Sequence, residues 1–247
     1  MAATSSTNRP QPVFVTTHWS VVLAAGRGDT THARDALSHL CQAYWYPLYA
    51  YARRRGSSAH DAQDLTQEFF TRLLQGKWLA HADRQRGRFR TFLLSAMQHF
   101  MANDWHRAHA QKRGGQEPIL SLDEHIAEQR YQREPLEKTT PESLFERGWA
   151  LSLLNDVLLR LEAEYASDEK REWLAAMRPA LTADRGSIHY ADIAGKLGMT
   201  ETAARVAVHR LRQRYRRLVQ AEVASTVAGP EEVTEEMRHL FRVLAGG

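Results

Sequence analysis

Two groups of residues in this sequence have types and spacings that can do chemistry. The first is Asp61, Asp64, Gln67 and Glu68, which recur at intervals of three and four. On a helix, that spacing gathers them on one polar face, opposite Leu65 and Phe69. A rigid polar stripe of this kind pairs with basic residues of a partner helix. With His60 added, the same carboxylates are also candidate metal ligands, and His99, Asn103 and His106 lie on nearly one face of another helix. No two-histidine signature with a catalytic Glu accompanies either set, nor does a Gly-rich phosphate loop or a nucleophile elbow. The expectation is a protein that is not an enzyme and holds no metal or cofactor.

The second group is cationic. Arg205, Arg210, Arg212, Arg214, Arg216 and Arg217 fall in a stretch that contains no acid. Before them stands Tyr190-Ala-Asp-Ile-Ala-Gly-Lys-Leu-Gly-Met-Thr. Ile193, Ala194 and Leu197 give a short helix its inward face. Gly198 supplies the positive φ that a tight helix-to-helix turn needs. Ala194 is small enough for a second helix to cross closely, and Thr200 is a good N-cap for that helix. Turn, cap, small residue and basic helix together predict a DNA-binding helix-turn-helix, with its second helix in the major groove. Thr200, Glu201, Thr202 and Arg205 then approach base edges, with His209 also among the DNA-binding positions. Arg210, Arg212, Arg214, Arg216 and Arg217 mostly meet phosphates, adding affinity but little sequence information. An ordinary helical hairpin with an exposed Arg-rich helix is the plain alternative.

The elements that must position these groups read as all-α. Residues 1–15 lack the apolar core of a signal peptide and are expected to be a flexible tail on a cytoplasmic protein. No apolar run is long enough to span a bilayer, so membrane insertion is not expected. A first domain over 16–115 contains four helices: one carrying Trp19, Val22 and Leu23; one from Asp29 through Tyr44, where Pro47 kinks or restarts it; one from near Ala59; and one from Phe89 to Arg113. Short connections make these a bundle. Residues 116–141 form an irregular, Pro-containing linker, with a short helix around Ser121 to Gln132. A second domain over 142–220 has helices at Leu144 to Tyr165 and Glu169 to Leu181 before the helix-turn-helix. An extension over 221–247 ends in an amphipathic helix starting near Pro230. Its Val233, Met237, Leu240, Phe241 and Leu244 must bury against the protein's own domains or a regulatory partner.

Composition agrees with this layout. Hydrophobic residues make up 43 % and charged residues 25 %, normal for a globular chain of 247 residues. The net charge of +4 is unevenly spread. From Arg84 to Arg113 there are seven Lys or Arg, and from Glu117 to Glu172 fourteen acids against seven bases. Two basic blocks separated by an acidic middle suggest two nucleic-acid contacts held apart. Cys41, the one cysteine, rules out an intramolecular disulfide and a cysteine zinc cluster.

Three segments in order resemble the extracytoplasmic-function (ECF) group of bacterial sigma factors. Tyr46-Pro-Leu-Tyr-Ala-Tyr-Ala-Arg-Arg-Arg resembles the first helix motif of sigma region two. Asp61-Ala-Gln-Asp-Leu-Thr-Gln-Glu-Phe-Phe-Thr-Arg-Leu resembles the polymerase-binding motif. Gly87-Arg-Phe-Arg-Thr-Phe-Leu resembles the start of the promoter-reading helix. The resemblance implies a region-two-like domain, a linker and a region-four-like domain. It implies that Asp61, Asp64, Gln67 and Glu68 face the β′ clamp of core RNA polymerase, with the β flap as a further polymerase contact. It implies that Arg84, Arg86, Arg88, Arg90, Trp105, Arg107, Lys112 and Arg113 surround the melted minus-ten strand, whose flipped bases need apolar pockets and whose backbone needs cations. An anti-sigma factor or another regulator is a further partner of such proteins. The chain departs from the family pattern at Gln98-His99, where an Arg-Asn pair is common, and lacks the Leu-Pro that usually opens region four. A helix-turn-helix regulator that never acts as a sigma subunit is the rival reading.

Overall fold

The computed structural model describes residues 31–75, 79, 82–83, 85, 87–103, 124–134 and 139–246. Among these there is no strand. The helices are α1 (Thr31–Arg54), α2 (Ala59–Gln75), α3 (Phe89–Asn103), α4 (Glu124–Gln132), α5 (Pro141–Glu164), α6 (Asp168–Met177), α7 (Tyr190–Leu197), α8 (Glu201–Thr226) and α9 (Val233–Leu244). The expected helix around Trp19 and the segment beyond Asn103 lie outside the described residues.

Local chemistry accounts for the boundaries. Ser58 Oγ accepts from the Asp61 backbone N–H at 3.1 Å and donates to the Asp61 carboxylate at 2.7 Å, closing the start of α2. Thr140 caps α5 by accepting from Ser143 N–H at 3.1 Å, with Pro141 at the first helical position. Pro179 stops α6 short of the expected Leu181; the chain continues as a 3-10 turn over Arg178–Leu181. At Pro47 the expected restart is absent, for α1 runs through it. On α5, Gly148 faces the Pro47 ring. A Cβ at Gly148 would stand 3.2 Å from Pro47 Cα and Cγ, so a glycine is what lets the two backbones approach.

Two hydrophobic cores result, and α5 and α8 pass through both. The first joins α1, α2, α3 and α4 to Leu144, Phe145, Trp149, Leu153 and Val157 of α5, Val219 and Val223 of α8, and Leu240 of α9. The second is built from Leu161, Leu174, Met177, Ile193, Ala194, Ala204, Val208 and Leu211. Each long helix therefore fixes the helix-turn-helix relative to the bundle. Burial pushes the Cys41 thiol up to about 12, so it is a core side chain without thiolate reactivity.

The expected short helix of the linker is α4, and it is anchored. Arg53 on α1 holds the Glu128 carboxylate at 2.8 and 2.9 Å, and Tyr49 donates to the same group at 2.5 Å. Arg53 keeps Glu128 below the usual carboxylate range, against the opposing effect of burial. Tyr46 donates to Glu134 at 2.8 Å, and Arg130 lies 3.5 Å over the Tyr46 ring.

The α5–α8 contact carries a pH-sensitive feature. Burial, then the negative charge of Glu222, pushes the Asp156 carboxyl up from 3.8 to about 6, while Arg160 acts in the opposite sense. Glu222 is fully buried and pairs with Arg160 at 2.5 Å. The folded state thus favours protonated Asp156. Its contribution is complete below the unfolded value and is lost as pH rises from 3.8 to about 6. Asp156→Asn is expected to raise stability at pH 7.5 by about 1–2 kcal/mol after discounting for solvent screening, and to change little at pH 3.5. Urea midpoints at the two pH values check this; equal shifts at both would contradict the assignment.

Candidate nucleic-acid and partner interface

The helix-turn-helix is built from its turn outward. Gly198 has φ 60° and ψ 35°, the left-handed conformation that ends α7, and Met199 N–H bonds back to Ala194 O at 3.0 Å. Thr200 caps α8 by accepting from Ala203 N–H at 3.2 Å. Ile193 and Ala194 are buried against Ala204 and Val208. The first turns of α8 then project Glu201, Thr202, Arg205, His209 and Arg210, all exposed. Arg205 is oriented before any ligand arrives, bonded to Glu201 at 2.5 Å and 4.4 Å over the Tyr190 ring. A groove along this side is lined by Tyr190, Arg205, His209, Arg212, Gln213 and Arg216.

Not every arginine of the block is an outward cation. Arg212 is a correction: its half-buried guanidinium donates to the carbonyls of Ala180, at 2.7 Å, and Ala183. It ties α8 to the turn after α6, because those end-of-helix carbonyls lack helical partners. Arg214 pairs with Glu164 on α5. Arg210, Arg216 and Arg217 are exposed.

The acidic group on α2 is one edge of that helix, with Ala62, Leu65, Phe69, Phe70 and Leu73 buried on the other side. Asp61, Asp64, Gln67 and Glu68 are each partly exposed. Asp61 is engaged with the Ser58 cap, and Glu68 with Arg72 at 3.0 Å. His60 approaches Asp64 at 3.6 Å, and both stay open to solvent. Among the described residues no group of three or more His, Cys, Asp or Glu has the arrangement of a metal site, and no helix is long and apolar enough to cross a membrane.

At the start of α3 the structure corrects a second expectation. Arg84, Arg86, Trp105, Arg107, Lys112 and Arg113 lie outside the described residues. Arg90, assigned to the DNA strand, is 2 % exposed. Its Nε donates to Glu146 of α5 at 2.7 Å, its Nη1 donates to Glu236 of α9, and its guanidinium lies 3.9 Å over the Trp149 ring. Burial works to lower the Arg90 pKa, but the negative charges of Glu146 and Glu236 and the hydrogen bond to Glu236 together hold it raised. Arg88 reaches the same fully buried Glu236 at 2.7 Å, and His239 meets Glu146 at 3.0 Å. The extension is therefore docked on the bundle through a charge cluster that sequence reasoning missed. A signal existed: Glu236 sits three residues after Val233 and four before Leu240, on the apolar face of its helix.

Comparison with known families agrees with the first half of this picture. Residues 40–111 match the family model described as Sigma-70 region 2. No curated protein and no solved structure matches the chain.

Proposed function

We propose that this chain, with its sigma-70 region 2 domain, is an ECF-type sigma factor that binds core RNA polymerase and directs promoter recognition and transcription initiation. The observation that carries the reading is the pairing of that domain with a helix-turn-helix on the same helical framework. In this reading, the bundle over 16–115 binds the β′ clamp through Asp64 and its neighbours and takes the melted minus-ten strand. The linker over 116–141 leads to the domain over 142–220, whose α8 enters the minus-thirty-five major groove while the β flap holds that domain in place. The extension over 221–247 braces the bundle. Strand opening draws on binding free energy, so the factor itself needs no ATP or cofactor. Attachment at two points raises the effective concentration at the second site once the first is bound.

Co-elution of the purified full chain with bacterial core RNA polymerase tests the reading. Tight binding supports it. A chain that binds duplex DNA sequence-specifically but never core polymerase is the helix-turn-helix regulator instead. The DNA side makes its own prediction for the reconstituted complex. Arg205→Ala alters sequence preference, whereas Arg216→Ala weakens all DNA similarly and lowers the salt slope by about 1. Binding-site selection with a salt titration checks this; equal, sequence-independent losses for both variants would contradict it.

A further inference from the structure

Val206 stands apart on the exposed side of α8. Successive helical residues turn by about 100°, which puts Val206 about 160° from Val208. Val208 is 1 % exposed and belongs to the second core, whereas Val206 is 45 % exposed. Val206 therefore points directly away from the core, one turn beyond Thr202, beside the small Ala203 and flanked by Arg205, His209 and Arg210. All of those neighbours are exposed, and all but Ala203 are polar or charged. An isolated surface valine is ordinary on most helices. Here it occupies the line of closest approach to anything that α8 enters, where a polar residue would serve solubility better.

Resting on the promoter-recognition reading above, we infer that Val206 is a specificity-determining residue that packs against the 5-methyl group of a thymine in the minus-thirty-five element. The major groove presents donors and acceptors from every base pair but one apolar group, the thymine methyl. A β-branched side chain at the apex of the helix offers two methyls to it, with rotamer freedom already small in a helix. The methyl of Thr202, one turn earlier, extends the apolar strip along the groove. Arg205, pinned by Glu201 and Tyr190, reads hydrogen-bonding edges beside it.

The test uses the full chain bound to core polymerase. Its preferred minus-thirty-five site is first selected from random duplexes. Each thymine of that site is then replaced singly by deoxyuridine, which removes only the methyl. Wild type is expected to lose about fourfold in affinity at one position, the worth of one buried methyl. Val206→Ala should lose its sensitivity at that position and accept other base pairs there, while keeping its response elsewhere. Val206 is exposed, so the variant is expected to fold, and unchanged helical content and urea midpoint verify this. A flat deoxyuridine scan in wild type, or an undiminished penalty in Val206→Ala, overturns the inference while leaving promoter recognition standing. Failure of the complex to select any duplex overturns both.

Discussion

Glu236→Ala destabilises the fold by about 3–5 kcal/mol, read as a fall in the urea midpoint. The carboxylate is fully buried and is bound by two guanidiniums, Arg88 and Arg90. Removing it leaves Arg90 in the core with Glu146 as its remaining carboxylate, and breaking one side of a buried pair costs far more than the pair contributes net. Glu236→Gln keeps one acceptor oxygen and should lose less. Deleting Gly229 to Gly247 takes away Glu236 together with Leu240, which is fully buried in the first core. Loss of stability in the deletion is expected along with loss of promoter activity. A truncated chain with unchanged stability and unchanged activity would show that the docked helix holds nothing in place.

Asp64→Arg is expected to weaken binding to core polymerase about 30-fold or more, the scale of a charged pair lost from a buried interface. Its own stability should stay within about 0.5 kcal/mol of wild type, since the position is open to solvent. Asp64 is the sharpest probe of the acidic edge. Asp61 is engaged in capping α2, and Glu68 is 16 % exposed and bonded to Arg72, so changes there disturb the helix itself. Binding measured by fluorescence anisotropy of labelled protein separates the outcomes. Wild-type affinity in Asp64→Arg would remove α2 from the polymerase interface.

The parts of this fold that were legible in sequence are those governed by local rules. The Gly198 turn, the Thr200 cap and the inward Ile193 and Ala194 all follow from residues within one turn of each other. The same holds for the start of α2 and the amphipathic helix after Pro230. What escaped was set by contacts distant in sequence. Pro47 was read as a kink or a restart, and the helix does not restart there; the close approach of Gly148 to its ring comes from another helix. Arg90 was read as a DNA cation because Glu146, Trp149 and Glu236 come from two later elements. Arg212 looked like any other member of its block until the carbonyls of Ala180 and Ala183 claimed it. Charge counts locate basic segments, but which guanidinium faces outward depends on tertiary partners. In the first half of the protein, family-like motifs over residues 40–111 conveyed more than periodicity did.

The most direct test of the central claim is run-off transcription by core RNA polymerase freed of every other sigma subunit, with and without the full chain. The template carries a site selected by the complex. A discrete transcript is expected only when the chain is present, lost on scrambling the minus-thirty-five or minus-ten element and strongly reduced by Asp64→Arg. Tight DNA binding with no transcript unless another sigma subunit is restored would contradict it.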